Sequence, residues 1–455
     1  MRTFTILSLS RLAADIGDQM ADFAITLWVW NLTGSATALA LTGFFYELPR
    51  IVASMFSGIL IDRAGCKALM ILSRVVTASS TLVLLILHLS GHLAIWHLYV
   101  LAFARSGFEK CGWISYQSSI ALLVSPQNYT RANSMEAVGG YGASIIAPAA
   151  AGLLYPFVGL SGILPINLVS LFIAIAVLAA LPIPWPQPSP DVPSYQLFKS
   201  PNTRGKKAKE NVIQLQSLWA DLTFGIRYVW RSDKLRTLLI VTTSFWLVHG
   251  LSGMVYDPMI LARTDSSSGA LGAVSTASGV GGVIGAIAIT IWGGFRQNHK
   301  GMLFGIIGAG LAKVGFGLGR GLPVWIPGQL FSSLNFPLLE GSETALWMSA
   351  TPLSLQGRIF AARAVVDDIL DMIVVLLGGV LGDSLEGWFQ QQVFTPAIPS
   401  SHLWQSLFVS LFGTGAGAGF ALFYVGCAIA MLFVGIIGFR MPQLCLLSKT
   451  KNVEL

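Results

Sequence analysis

Three acidic side chains near the start of the chain have the spacing of one helical face. Asp15, Asp18 and Asp22 are separated by three and four residues, which places them on the same side of an α-helix. The surrounding segment, 9–32, is otherwise apolar enough to cross a membrane. A carboxylate inside a membrane costs about 2.5–3.5 kcal/mol on insertion scales, so we expect this face to meet a cavity or basic partners such as Arg11.

Further charged residues fall inside the second apolar segment of the chain. That segment runs opposite to the first, so Glu47 and Arg50 reach a depth similar to that of Asp22. We predict that Asp22, Glu47 and Arg50 form a buried polar cluster that takes up and releases a proton, with Asp18 as a further candidate. A permanent ion pair that holds the two helices together is the alternative interpretation.

Other polar and aromatic side chains stand singly in apolar surroundings. Arg105 and Glu109 are one helical turn apart and can pair on their helix. Tyr46, Tyr256 and Glu340 are candidates for lining a cavity that holds a bulky ligand. The sequence contains no catalytic nucleophile–base pattern, no phosphate-binding loop and no metal-like cysteine spacing. We therefore predict that the chain is not an enzyme and that it has no metal site and no cofactor.

Long apolar segments must position these residues. Of the 455 residues, 54% are hydrophobic and 11% are charged, and the mean hydropathy is +0.69. A soluble protein has an apolar share of only about 45–50%, so we predict an all-α membrane protein. Twelve apolar segments are each long enough to cross a bilayer: near 9–32, 38–61, 68–89, 94–116, 133–156, 159–181, 237–261, 268–293, 301–321, 323–349, 358–386 and 404–440.

One long polar break divides the chain near its middle. Residues 1–181 and 237–441 each contain six apolar segments, and residues 182–236 form a cytoplasmic linker between them. The linker begins with a proline-rich stretch and ends in a predicted amphipathic helix, around 214–231, that lies in the membrane interface. Residues 442–455 form a cytoplasmic tail.

Basic residues collect in alternate loops between the apolar segments. The loops predicted on one side contain most of the lysines and arginines, including Arg74 and Arg363, whereas the opposite loops hold little beyond Arg263 and Arg320. Because cytoplasmic loops carry such an excess, both termini are predicted to be cytoplasmic. The net charge of +7 therefore reflects the basic residues of the cytoplasmic loops, and we expect no nucleic-acid partner.

A turn motif joins the second and third apolar segments. The stretch Gly58-Ile-Leu-Ile-Asp62-Arg63-Ala-Gly65-Cys66-Lys67 resembles the loop motif of the major facilitator superfamily, with Cys66 at a position that is usually basic. The resemblance implies the major facilitator fold, with twelve transmembrane helices in two six-helix halves. It also implies that Asp62 and Arg63 act in a gate latch, while Gly58 and Gly65 permit the tight turn.

Several other stretches resemble the bacterial drug-exporter branch of that superfamily, which includes macrolide and siderophore exporters. They include Ile16 to Gln19, Leu32 to Ala36, Arg131 to Ser134, Ala147 to Gly152, Asp221 to Arg236 and Gly357 to Phe360. In that branch the region of Pro148 and Gly152 is associated with the direction of antiport, although a simple helix kink is the alternative. By position, the resemblance also makes Arg105 a candidate for proton movement.

Together these observations predict a secondary active transporter in the bacterial cytoplasmic membrane. We expect proton-coupled export of a drug-like or amphipathic small molecule by alternating access, with protonation of the Asp22 cluster alternating with substrate binding. The expected partners are the substrate, protons and membrane lipids, and the chain is expected to be a monomer. A lipid, peptide or siderophore-type transporter, or a membrane receptor or scaffold on the same fold, are the alternatives.

Overall fold

The computed structural model describes residues 2–125, 129–183, 225–352, 355–394 and 402–444. Within these ranges the regular elements are α-helices. Most of the linker and of the C-terminal tail lies outside them. The predicted linker helix is described only at 225–231, where it is helical. The side chains of Asp62 and Arg63, and Gly58 of the same turn motif, are also outside the described part.

Long helices account for nearly all of the described chain. Before the linker they are α1 (Arg2–Thr33), α2 (Ala36–Ala64), α3 (Cys66–Leu89), α4 (Ile95–Leu123) and α5 (Tyr129–Ala180). After it they are α6 (Asp233–Met254), α7 (Tyr256–Arg263), α8 (Ser268–Trp292), α9 (Asn298–Leu318), α10 (Leu322–Leu334), α11 (Phe336–Ala350), α12 (Gln356–Phe394), α13 (His402–Phe412) and α14 (Ala418–Phe439).

Helix α5 is bent at Gly159. The backbone there has φ of 59° and ψ of −164°, a left-handed conformation that glycine adopts without a steric penalty. Pro156 and Pro165 lie on either side of the bend, and each lacks the amide hydrogen that a continuous helix needs. The two arms of α5 correspond to the apolar segments 133–156 and 159–181.

Three of the predicted apolar segments are each two helices in the structure. Segments 237–261 and 323–349 are interrupted between α6 and α7 and between α10 and α11. Pro258 and Pro337 follow these breaks, and neither can donate the amide hydrogen bond that would continue the preceding helix. Segment 404–440 divides into α13 and α14 because Gly413 and Gly417 form a turn, with φ of 84° and 82°.

The long apolar segments alternate in direction, and α6 with α7, and α10 with α11, each continue one segment, so segment termini gather at two ends of the bundle. We call the end that carries Ser35, Arg263 and Gly417 the Ser35 end. The opposite end carries Gly65, Lys67 and Leu181, and we call it the Lys67 end. At the Ser35 end, Asp383 of α12 accepts hydrogen bonds from the first residues of α2, at 2.6 Å from Ser35 Oγ and at 2.8 Å from the Ala36 amide.

Apolar packing differs between the two ends. Near the Ser35 end one buried cluster joins Trp30 of α1 with Met259 of α7, Leu271 of α8 and Tyr424 of α14. Toward the Lys67 end, one buried cluster is drawn from residues 4–181 and another from residues 229–444. The helices before and after the linker therefore pack together at the Ser35 end, whereas each set has its own core at the Lys67 end.

The outside of the bundle is suited to a lipid environment. Large apolar side chains are exposed on it, with Phe157 at 86% and Ile291 at 82% exposure, and a soluble surface rarely collects such residues. Among the residues that the structure describes, six helical stretches combine the length and the apolar character needed to cross a membrane: Cys66–Leu89, Val138–Ala180, Asp233–Arg263, Ser268–Trp292, Asn298–Leu318 and Ala418–Phe439. Helix α1 is long enough, but it carries Arg11 and three aspartates.

Candidate functional site

The three aspartates of α1 face one cavity, as their spacing predicts. A polar cavity of about 310 Å³ is lined by Asp15, Asp18 and Asp22 together with Arg74 of α3. Arg74 bridges the first two carboxylates, with its guanidinium nitrogens 2.8 Å from Asp15 Oδ1 and 2.7 Å from Asp18 Oδ2. Asp15 also accepts a hydrogen bond from Arg11 Nε at 3.1 Å. Basic partners thus offset the charges that this helix carries into the bundle.

Asp18 is held from a second side by α5. Asn167 donates from Nδ2 to Asp18 Oδ1 at 2.8 Å, and Thr81 of α3 donates to Asn167 Oδ1 at 3.1 Å. Helices α1 and α5 come close enough for this because Gly17 faces Ser170, where an added Cβ would lie only 2.2 Å from the Ser170 Oγ. Asp18 therefore has fixed partners on α3 and α5.

Arg105 of α4 links Asp22 to Glu109. Its Nη2 lies 2.7 Å from Asp22 Oδ1, and its Nη1 lies 3.7 Å from Glu109 Oε1. Glu109 also accepts hydrogen bonds from the Tyr46 hydroxyl at 2.7 Å and from Thr77 Oγ1 at 3.0 Å. Asp22 differs from its partners in being open to the cavity, since 54% of its side chain is exposed against 15% for Arg105.

In the structure, the residues of the predicted cluster, Asp22, Glu47 and Arg50, do not all pair with one another. Asp22 pairs with Arg105 of α4, while Arg50 pairs within its own helix with Glu47 at 3.0 Å. The Arg50 guanidinium lies 5.0 Å from the centre of the Tyr46 ring, so Arg50 borders the cavity without bonding to Asp22. Asp22 and Arg50 therefore line the same polar cavity, but the ion-pair partner of Asp22 is Arg105, and Glu47 and Arg50 pair with each other.

Two cavities meet at this ion-paired group. The polar cavity and a second one, also of about 310 Å³, have Asp22, Tyr46 and Arg105 as common lining residues. The second cavity is lined mainly by aliphatic side chains of α1, α2, α3 and α4, and it reaches Asp257 and Pro258 of α7. We call it the apolar cavity. A bound molecule there would touch the same carboxylate and arginine that face the polar cavity.

Tyr256 and Glu340, predicted as cavity residues, line a third cavity. Its volume is about 420 Å³, and it includes Tyr141 of α5, His249 of α6 and Lys313 of α9. We call it the Lys313 cavity. It shares Gly253 with the apolar cavity. Tyr46, the third predicted cavity residue, lies instead between the polar and apolar cavities.

Pro148 and Gly152 lie where α5 meets α8. A Cβ on Gly152 would lie 2.8 Å from the Ser268 carbonyl oxygen and 3.0 Å from the Gly272 Cα. Ser268 Oγ donates a hydrogen bond to the Gly152 carbonyl at 3.1 Å. A Cβ on Gly272 would in turn lie 2.6 Å from the Pro148 carbonyl oxygen. These residues therefore define a close backbone contact between helices on either side of the linker.

The structure describes Gly65 and Lys67 of the predicted gating motif. Gly65 has φ of 77°, a conformation that favours glycine, and its amide donates to the Ile61 carbonyl at 2.9 Å. Lys67 Nζ donates to the carbonyls of Ala179 and Leu181, both at 2.8 Å, where it satisfies the last carbonyls of α5. The motif thus connects the α2–α3 turn to the end of α5.

Two arginines that the charge pattern predicts to lie in loops are inside the bundle. Arg74 lies within α3 and pairs with α1, and Arg363 of α12 pairs with Glu343 of α11 and lies 3.4 Å from Asp367. The assignment to loops is wrong because the charge rule counts basic residues near helix ends without regard to the face they occupy. Asn167 and Lys313 were also missed, although each is a lone polar residue in an otherwise apolar segment.

Comparisons with known proteins agree with this architecture. The family model described as Major Facilitator Superfamily matches residues 7–375. Macrolide efflux protein A of Streptococcus pyogenes is 23% identical over 389 residues, which cover 82% of this chain and 88% of that protein. The multidrug efflux pump Tap of Mycolicibacterium fortuitum is 22% identical over 382 residues, which cover 82% of this chain and 87% of that protein.

Solved transporter structures have a similar backbone arrangement. A bacterial homologue of the iron transporter ferroportin, in its inward-facing state, has a TM-score of 0.65 at 16% identity, covering 98% of this chain and 99% of that one. A peptide transporter has a TM-score of 0.69 at 12% identity, covering 98% of this chain and 95% of that one. At such low identities the likeness concerns the fold alone.

Proposed function

Because the chain belongs to the Major Facilitator Superfamily, we propose that it exports a drug-like or amphipathic small molecule in exchange for protons. It is a membrane transporter and not an enzyme, and the relatives above are efflux proteins. The observation that carries the proposal is the ion pair of Asp22 with Arg105, which lies between the polar and the apolar cavity.

The ion pair provides a way to couple proton movement to binding. Asp22 is the exposed partner and can receive a proton from water in the polar cavity. Its protonation removes the charge that holds Arg105 at 2.7 Å, and Arg105 then turns toward Glu109, which is 3.7 Å away. Since the same residues line the apolar cavity, a substrate that binds there competes with this rearrangement.

The proposed topology has twelve membrane-spanning segments in two six-helix halves, 1–181 and 237–441. The predicted excess of basic residues in alternate loops supports placing the Lys67 end in the cytoplasm of a bacterial cell. Apolar packing that joins the two halves at the Ser35 end, together with separate cores at the Lys67 end, supports a state that is open toward the cytoplasm. Rocking of the halves would then expose the cavities to the other side.

The turn motif and the α5–α8 contact have roles in this cycle. Lys67 fastens the α2–α3 turn to the end of α5, and we propose that Asp62 and Arg63 latch this side when it closes. The close contact of Gly152 with Gly272 would be the pivot on which the halves rock. The chain would work as a monomer in lipid, without a cofactor.

Accumulation of a chemically broad panel of compounds in efflux-deficient bacteria tests the proposed function. We expect cells that express the chain to accumulate less of at least one compound, and a protonophore to restore its level. If every compound accumulates equally while the protein is present in the membrane, export of drug-like molecules is wrong, and the lipid, peptide or siderophore alternative gains support.

A further inference from the structure

The Lys313 cavity contains a buried positive charge that the proposed coupling network does not use. Lys313 lies within α9 and is 4% exposed. Its Nζ lies 3.2 Å from Ser252 Oγ and 3.2 Å from the Tyr424 hydroxyl. It forms no ion pair with any residue that the structure describes, and its partners there are these two hydroxyl groups and the Tyr424 ring, whose centre lies 5.0 Å from Nζ. An ammonium group has three donor hydrogens, and two of them are accounted for.

Other polar atoms around this cavity also lack partners. Ser332 Oγ, His249 Nδ1 and Gln329 Oε1 are buried, and none has a hydrogen bond to the described part of the chain. Ser332 is fully buried. Buried polar atoms in proteins are almost always paired, and an unpaired one calls for an explanation such as a ligand or an ordered water. The three atoms belong to residues that line one cavity with Lys313. Of them, the Ser332 hydroxyl can donate a hydrogen bond to an anion, whereas Gln329 Oε1 only accepts hydrogen bonds.

We propose that the Lys313 cavity binds a carboxylate group of the transported molecule, with Lys313 as its counter-charge. An unpaired buried charge is strongly unfavourable, and an incoming anion supplies the missing partner. The Ser332 hydroxyl can donate a second hydrogen bond to the same group. A single ammonium matches a monoanion, whereas a phosphate ester carries a charge of about −1.5 to −2. The inference depends on the proposed function only in taking the ligand to be the transported molecule.

The surroundings of the cavity are compatible with an amphipathic anion. Glu340 is a lining residue of like charge, but its side chain is exposed and therefore hydrated. Because the Lys313 cavity shares Gly253 with the apolar cavity, one molecule can place its carboxylate near Lys313 and its apolar body beside α1 to α4. The ligand class is thus an amphipathic molecule with a carboxylate at one end.

Binding of rhodamine B and of its ethyl ester to the purified full-length chain tests this inference. The dyes differ in one carboxylate, and fluorescence anisotropy measures both affinities. We expect the free acid to bind at least about tenfold more tightly than the ester, the factor for one charge-assisted hydrogen bond. Lys313→Met should remove this preference by weakening the free acid alone, Lys313→Arg should retain it, and Ser332→Ala should reduce it.

Lys300→Met is the matched control, because Lys300 is an exposed lysine on the same helix. Removal of an unpaired buried charge should not unfold the protein, and the unfolding temperature of each variant checks this. The inference is overturned if the two dyes bind equally, if the free acid does not bind, or if Lys313→Met weakens both dyes alike.

Proton-driven uptake of the ester into inverted membrane vesicles separates the two proposals. If vesicles with the unchanged chain take up no ester while the purified chain still binds the free acid more tightly, the transport proposal is contradicted and the carboxylate site is supported. If the ester is taken up and both dyes bind equally, the transport proposal is supported and the carboxylate site is contradicted.

Discussion

Arg74 and Arg105 each neutralise a different part of the acidic face of α1. Arg74 is bonded to Asp15 and Asp18, both of which have further partners. Arg105 is bonded to Asp22, whose side chain is the more exposed of that pair. The first group is suited to holding α1 against α3 and α5, and we propose that Asp22 of the second group carries the exchanged proton. The structure therefore places two ion-paired groups on a single helix, one with several fixed partners and one open to the cavity.

Replacing Arg74 tests whether its ion pairs hold α1 against α3 and α5. Arg74→Met leaves two partly buried carboxylates without their main partner, and the loss of stability should stay below the roughly 3–5 kcal/mol that breaking a fully buried pair costs. We expect a lower unfolding temperature in detergent, with partial recovery when Asp18→Asn is added. Arg296→Met, at an exposed position, is the control. An unfolding temperature that matches this control would show that Arg74 does not hold the helices together.

The sequence predicts which helical face carries the acidic residues, whereas the partners of these residues depend on how neighbouring helices pack. The periodicity of Asp15, Asp18 and Asp22 predicts their common face, since a helix repeats every 3.6 residues or so. The pairing of Asp22 with Arg105 depends instead on how α4 is rotated beside α1, which long-range packing decides. Arg74 was misplaced for the same reason, because a basic residue near a helix end can face either the loop or the bundle.

Close contacts between glycines bring together α5 and α8, which precede and follow the linker in the sequence. Gly152 of α5 and Gly272 of α8 face each other so closely that a Cβ on either would overlap the partner backbone. The sequence indicated Gly152 through a resemblance, but Gly272 sits in a segment with many glycines and gave no separate signal. Small residues allow such close packing of membrane helices.

Gly152→Ala tests the role of this contact. The added methyl group would lie 2.8 Å from the Ser268 carbonyl oxygen, so α5 and α8 must separate, and overpacking of this kind costs about 1–3 kcal/mol. We expect slower export of a substrate from the compound panel, measured in cells at equal protein levels. Gly140→Ala lies on the same helix with open space around its Cβ. Equal export rates for the two variants would remove the contact from the transport cycle.

At the scale of the whole molecule, the Ser35 end is closed by polar as well as apolar contacts. Asp383 accepts four hydrogen bonds from Ser35, Ala36 and Thr37, at 2.6 to 2.9 Å. A carboxylate at the start of a helix also interacts favourably with the helix dipole. These bonds join α12 to α2, on either side of the linker, so they must break if the two halves part at this end.

Asp383→Asn should shift the protein toward a state that is open at the Ser35 end. Losing one charge-assisted hydrogen bond costs about 1.5–3 kcal/mol, or roughly tenfold or more in the population of the closed state. Ile25 lines the apolar cavity, and labelling of Ile25→Cys by an impermeant maleimide reports access from the Ser35 end, which the proposed topology places outside the cell. We expect faster labelling when Asp383→Asn is present.

Two comparisons make this labelling experiment decisive. Asp265→Asn changes an exposed carboxylate at the same end and should leave the labelling rate unchanged. The chain without Ile25→Cys gives the background, and its described cysteines, Cys66, Cys111 and Cys427, are buried. A rate that is the same with and without Asp383→Asn would mean that these hydrogen bonds do not hold the end closed.

Proton movement driven by a substrate gradient is the most direct test of the claim that Asp22 couples export to protons. The unchanged chain, reconstituted in liposomes that contain a pH-sensitive dye, should move protons against the flow of an exported compound. Asp22→Asn should still exchange the labelled compound but move no protons, while Asp233→Asn, at an exposed carboxylate, should behave as the unchanged chain. Proton movement by Asp22→Asn at the unchanged rate would contradict the account.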